Sequence, residues 1–248
     1  MAITVDGAFD AVISYSGGAN VYTFDATLGG VAGDIAVVAV SCHNSLPSFG
    51  AASGWNFLGA ARPDPATGAQ VALYWKLKTS RNTSYVYQSG TSPAQDVNAA
   101  GQLLFVRGAS SSSMVPVSGF NSGDYLDEID EMEAFISPAT LTTVNVADGS
   151  ALLAFVFSNF NTFNVRQYAN MPLVGTYNST TDMTVLSPTS AGAQSGFAVA
   201  SGASSVPVVV QVSRFDSAAA GKFEQFQATW VALTIARKKK TGLFGVNH

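Results

Sequence analysis

Gly33-Asp34-Ile35-Ala36-Val37-Val38-Ala39-Val40-Ser41 is echoed much later in the chain by Asp148-Gly149-Ser150-Ala151-Leu152-Leu153-Ala154-Phe155-Val156-Phe157-Ser158. Both stretches open on a turn of glycine and aspartate and continue as an unbroken apolar run. A strand with one wet face alternates polar and apolar residues, whereas a strand that is apolar at every position needs cover on both faces. Leu103 to Val106 reads the same way. The likeness continues beyond these runs. Each is followed by an asparagine-bearing segment, with Asn44 in the first and Asn159 and Asn161 in the second. Each then reaches a short apolar step ending in glycine, Phe57-Leu58-Gly59 and Leu173-Val174-Gly175. Each half closes on an apolar strand ending in arginine, Leu103 to Arg107 and Val231 to Arg237. Two similar sets of strands folding together predict a two-sheet jelly roll.

Period-two alternation fills the space between these runs. Val71, Leu73, Trp75 and Leu77 alternate with Ala72, Tyr74, Lys76 and Lys78, predicting a strand with one buried face and one more polar face. Val231, Leu233 and Ile235 alternate with Ala232, Thr234 and Ala236. Turn chemistry such as Ser16-Gly17-Gly18 and Arg62-Pro63-Asp64-Pro65 punctuates the strands, the signature of a sandwich or barrel. One segment departs from this. Leu126, Ile129, Met132 and Ile136 recur at helical spacing behind Asp124, which predicts a short capped helix over residues 124–136. The reading is therefore an all-β chain: a two-sheet, jelly-roll-like β-sandwich with an internal pseudo-duplication and one short helix. It forms a single domain over residues 1–236, followed by a basic C-terminal arm, 237–248.

Hydrophobic residues make up 47% of the 248 residues and charged residues 11%, against a usual charged fraction of about 25%. Such a surface must face water with Ser, Thr, Asn, Gln and Gly. It suits packing against neighbours, because burying a hydroxyl or amide costs less than burying a charge. The net charge of −4 argues against nucleic acid as the main partner. Cys42 is the only cysteine, so no disulfide forms within the chain, and a buried, inert thiol is expected. Residues 1–6 lack the basic start and apolar stretch of a signal peptide. No apolar run approaches the roughly 20 residues that span a bilayer, so no membrane insertion is expected.

Catalytic groupings are hard to find. The histidines are His43 and His248. His43 follows Cys42 directly, and neighbours in a strand point to opposite faces, so the two make a poor nucleophile–base pair. No nucleophile elbow, phosphate loop or dinucleotide fingerprint occurs. Asp124, Asp127, Glu128, Asp130, Glu131 and Glu133 crowd one segment. Glycoside hydrolysis needs two acids facing each other across a cleft, and the spacing lacks the pattern of an EF-hand loop, leaving a solvated acidic face as the plainer reading. No catalytic residue, metal or cofactor is expected. The basic counterpart is Arg237-Lys238-Lys239-Lys240, with an apolar tip that includes Phe244. Such an arm can bind phosphates or dock on a partner subunit, and the expected partner is the acidic 124–133 segment (Asp127, Glu128, Asp130 and Glu131) of another copy. Among the aromatics, Trp75 reads as core. Tyr74, Tyr85 and Tyr87 are candidates for glycan or subunit contact. The Asn-x-Ser/Thr sites at Asn82 and Asn178 carry little meaning without an export signal.

Three stretches, Gly54-Trp55-Asn56-Phe57-Leu58-Gly59, Val71-Ala72-Leu73-Tyr74-Trp75-Lys76-Leu77 and Gln102-Leu103-Leu104-Phe105-Val106-Arg107-Gly108, resemble the jelly-roll domains of tailed-bacteriophage virion proteins. So do Ser137-Pro138 through Thr142-Thr143, the run Asp148 to Leu153, and the closing strand Trp230 to Arg237. The resemblance implies a structural virion component, either a head decoration, a minor capsid protein or a tail-attached knob. Such a protein is made in the host cytoplasm and assembles with other virion proteins and copies of itself. It carries no catalytic residues to transfer. The chain has no heptads, collagen-like repeat or long N-terminal anchor, which sets it apart from a fibrous tail spike. A tail adhesin that binds a host surface glycan is the alternative, and a depolymerase comes third.

Overall fold

The computed structural model describes residues 2–25, 29–42, 54–61, 70–79, 85–91, 99–125, 136–158, 173–174, 184–185, 193–213 and 224–239. The strands of the first half are β1 (Thr4–Asp10), β2 (Val12–Ser16), β3 (Ala19–Phe24), β4 (Ile35–Cys42), β5 (Asn56–Ala61), β6 (Gln70–Leu77), β7 (Tyr85–Thr91) and β8 (Ala100–Arg107). Those of the second half are β9 (Ala109–Tyr125), β10 (Ile136–Val146), β11 (Ala151–Ser158), β12 (Leu173–Val174), β13 (Thr184–Val185), β14 (Ala193–Val199), β15 (Ser204–Ser213) and β16 (Glu224–Arg237). All pairings are antiparallel. The all-β sandwich reading holds. Among the described residues the strands form four sheets, two for each half, where the repeat predicted two in all.

The first half supplies a five-stranded sheet in the order β1-β8-β4-β6-β5 and a three-stranded sheet β2-β3-β7. The second half supplies β13-β14-β11-β16-β9 and β10-β15-β12. Three apolar clusters show how the sheets stack. One face of β4, β6 and β8 (Ile35, Val37, Leu73, Leu104, Val106) packs with one face of β11 and β16 (Leu153, Phe155, Leu233, Ile235). The opposite face of the first sheet (Val38, Tyr74, Leu103, Phe105) packs under Tyr22 and Phe24 of β3. The opposite face of the second (Leu152, Val156, Trp230) packs under Leu141 and Val144 of β10 and Val206 and Val208 of β15. The described strands therefore stack four layers deep, with the two five-stranded sheets inside. That is the physical reason why β4, β8 and β11 are apolar at nearly every position.

The duplication read from sequence reappears as topology. Both β4 and β11 are central, flanked by β8 and β6 in one sheet and by β16 and β14 in the other. Register fixes the residue match. Ile35 pairs with Val106 and Leu77, and Ala151 pairs with Ile235 and Val199. The turns before the central strands then repeat bond for bond. Gly33 N donates to Lys78 O (2.8 Å), Lys78 N to Asp34 O (2.8 Å) and Asp34 N to Val31 O (3.0 Å). In the second half Gly149 N donates to Ala200 O (3.0 Å), Ala200 N to Ser150 O (2.9 Å) and Ser150 N to Ala147 O (3.0 Å). Gly33 (φ 92°) and Gly149 (φ 68°) both occupy the left-handed region, where a Cβ is penalised.

Three expectations from sequence need correction. Asp124 and Tyr125 end β9 and Ile136 begins β10, so the predicted helix loses both its cap and its last residue to strands; residues 126–135 lie outside the described residues. The match of Arg107 to Arg237 slips by one. Val106 corresponds to Ile235 in register, so Arg107 corresponds to Ala236. Leu173 and Val174 pair with β15, whereas the strand beside β14, in the place β5 holds beside β6, is β13.

Candidate functional site

The β6 strand illustrates how packing reassigns its side chains. Alternation predicted a polar face at Ala72, Tyr74, Lys76 and Lys78. Ala72 and Tyr74 are instead wholly buried, because that face lies under the outer three-stranded sheet. Tyr74 is 0% exposed, so it contacts neither a glycan nor another subunit; it packs against Phe57 with ring centroids 5.4 Å apart. Leu77, expected on the buried face, is 50% exposed. Lys76 Nζ lies 4.3 Å from the ring centroid of Trp55, and burial lowers its pKa.

Lys78, just beyond β6, is 1% exposed. Its ammonium donates to Gly29 O and stands 4.3 Å from the Phe105 ring centroid. Burial lowers its pKa, with Asp34 and then Asp6 acting in the opposite direction. Asp34 is itself buried. Its Oδ2 accepts from Val31 N (2.7 Å) and Arg107 Nη2 (3.0 Å), and its Oδ1 accepts from Arg107 Nε (3.2 Å). Asp6 Oδ2 accepts from Gly30 N (3.0 Å) and from Arg107 Nη2 (3.4 Å). The hydrogen bond and charge of Asp34 raise the Arg107 pKa, keeping the guanidinium charged. The four charged groups fasten residues 29–34 across the end of the first five-stranded sheet. Sequence reasoning passed over this cluster. Its signal was that Asp34, just before β4, and Arg107, at the end of β8, stand where the second half has Ser150 and Ala236.

The predicted contact residues divide by position. Arg237 ends β16 opposite Ala109, and Lys238 N donates to Gly108 O (2.9 Å). Arg237, Lys238 and Lys239 are all exposed. Lys240 and Phe244 lie outside the described residues, as do Asp127, Glu128, Asp130 and Glu131. Tyr85 and Tyr87 belong to β7, opposite Phe24 and Tyr22, and their side chains fall outside the description. His43, Asn82, Asn178 and His248 do too, and Cys42 is placed by its backbone opposite Gln70.

The long pairing of β9 with β16 sets the two charged stretches apart. At one end Arg237 faces Ala109; at the other Glu224 faces Tyr125 and Gln225 faces Asp124. Pairing of β16 with β11 stops at Ala228, so Glu224 to Gln227 run on with β9 as a two-stranded ribbon among the described residues. Among those residues no group of three or more His, Cys, Asp or Glu is placed to hold a metal ion, and no helix is long and apolar enough to cross a membrane. No protein-family model matches the chain, and no curated protein resembles it above chance.

Proposed function

We propose that the chain is a structural component of a tailed-phage virion, a head decoration, minor capsid protein or tail-attached knob, which works through protein–protein contacts and does no catalysis. The virion assignment rests on the sequence resemblance. The contact mode is carried by one observation, the uncharged apolar exposure of two sheet-edge strands. In β2, Val12 is 72% exposed and sits among Ile13, Ser14, Tyr15 and Ser16. In β9, Val115 is 58% exposed and Val117 also faces solvent, in a run without a single charge from Ala109 to Gly123. Natural sheet edges that must stay alone carry charges, and exposed apolar side chains framed by polar, uncharged ones mark contact surfaces.

The test is the solution mass of the full chain over a range of concentrations, with cross-linking to locate the contacts. A defined oligomer, weakened by Val12→Ser or by Val115→Ser with Val117→Ser, is the expected result. A chain that stays monomeric at every concentration and binds host glycans would replace this reading with that of an adhesin.

A further inference from the structure

We infer that the outer face of β9 around Val115 and Val117 is a seat for an extended, uncharged, glycine-bearing segment of a second copy of this chain. The inference rests on the contact function just proposed and names what one of its contact faces receives.

The internal repeat makes β9 the counterpart of β1. With Val106 matched to Ile235, β1 beside β8 corresponds to β9 beside β16. Asp6, opposite Phe105, then matches Val115, opposite Thr234. Phe9, opposite Leu103, matches Val117, opposite Ala232. In the first half this face is covered. Gly30 N donates to Asp6 Oδ2 at 3.0 Å. A Cβ on Gly29 would run into the Phe9 ring, and one on Gly30 into the Phe105 ring. Residues 29–31 thus cross β1 as a strap, and glycine is what lets the backbone come so close.

The second half lacks this cover. With Gly33 matched to Gly149, the counterparts of Gly29 and Gly30 are Asn145 and Val146, which pair with Ser205 and Ser204 and stay in the outer sheet. Val115 is left 58% exposed and Val117 37%. The apolar floor continues to Trp230, which fills the space that a Cβ on Gly119 would need. From Val115 to Gly119 it runs about 13 Å, enough for one extended segment to cross. The strand beneath is anchored from behind, where Ser118 Oγ donates to Ala60 O at 3.0 Å. Pro116 in its middle interrupts simple strand addition at this edge, so the segment lies across the face.

The chemistry of the seat selects the occupant. Asp6, Asp34, Lys78 and Arg107 hold the strap of the first half, and the second half has Val115, Ser150, Ala200 and Ala236 in their places. A charged segment would lose hydration there with no counter-charge at any matched position. An uncharged one removes the two valines from water at little cost, and a glycine at the crossing repeats the close approach of Gly29 to Phe9. The chain itself is rich in such segments: residues 43–54 and 183–192 contain glycine and no Asp, Glu, Lys or Arg.

The experiment probes an array of overlapping peptides covering residues 1–248 with the labelled full-length chain. The bound peptides are expected to be uncharged and to carry glycine. Their affinity, measured by fluorescence anisotropy, is expected to fall about tenfold or more on Val115→Asp with Val117→Asp and to be unchanged by Val12→Asp. Exchanging the glycine of a bound peptide for valine weakens it too, and the soluble peptide dissociates the wild-type oligomer. Charged peptides, or peptides that bind the double variant as well as wild type, overturn the inference. An oligomer weakened by the double variant with no peptide bound means that two such faces meet each other, which overturns the inference and leaves the contact function standing. A chain that is monomeric at every concentration overturns both. Circular dichroism confirms that each variant folds, and Val115→Ser with Val117→Ser serves if the aspartates prevent folding.

Discussion

The two halves of the molecule share a backbone and differ in what they bury at the same place. Turns, register and central strands correspond, down to three hydrogen bonds around Gly33 and Gly149. At matched positions the first half holds Asp34, Lys78 and Arg107, where the second holds Ser150, Ala200 and Ala236. The second half secures its turn differently, with Asp148 Oδ1 accepting from Gly202 N at 2.7 Å. The backbone bonds are indifferent to side chains, so either solution satisfies them. The charged solution is conditional: a buried ammonium is tolerated only beside carboxylates and a carbonyl, and each member of the cluster depends on the others.

The comparison can be broken most severely by moving the lysine to the wrong half. Ala200→Lys places an ammonium at a site that is 2% exposed, where Ser150 stands in place of a carboxylate. The expected loss is about 4 kcal/mol, read by chemical denaturation. Next comes conversion of the first half towards the second. Asp34→Ser removes the carboxylate that Arg107 binds and that offsets the buried charge of Lys78, and is expected to cost about 3 kcal/mol. Adding Lys78→Ala to it should recover a kcal/mol or more, at least about 1, as a coupling in the double-mutant cycle. Strictly additive losses would show that the two side chains do not depend on each other.

Smaller effects sharpen the parallel. Gly33→Ala and Gly149→Ala each force a Cβ into the left-handed region, with no atom within 4 Å to clash with it. Equal losses of about 1–2 kcal/mol are expected from conformation alone, and unequal thermal shifts would show that the turns are not equivalent. The smallest effect is one of pH. Lys78 has its pKa lowered in the folded chain. Between that pKa and the ordinary lysine value the unfolded chain binds more protons, so stability rises with pH through this window and is lowest below it. Lys78→Met should flatten that alkaline slope relative to wild type, as measured by denaturation at a series of pH values. An unchanged slope would assign it to other groups, such as Lys76.

Much of this was readable in the residues. The doubly apolar runs Ile35 to Val40 and Ala151 to Phe157 announced strands covered on both sides, and both lie at 0–1% exposure in the inner layers. The echo between the halves announced the repeated topology. The faces of β6 were not readable, because alternation reports the polarity of side chains and not what another sheet lays over them. Tyr74 and Lys78 look like a wet face until β3 and Phe105 are brought across them. The charged cluster was hidden for a related reason: Asp6, Asp34, Lys78 and Arg107 are scattered along the first half and meet only where β1, β8, β4 and β6 end together. The helix expected after Asp124 rested on local spacing, and pairing with β16 held Asp124 and Tyr125 in a strand instead.

By itself the sequence determined the class of fold, the positions of the central strands and the duplication, because apolar periodicity and turn chemistry are local properties that the chain carries wherever it lies. Tertiary structure alone decided that there are four layers, that a lysine belongs inside the first half, and that acids and bases stand at opposite ends of one ribbon. Those outcomes depend on which strands become neighbours and in which register, and burial and electrostatic energies are set by neighbours distant in sequence.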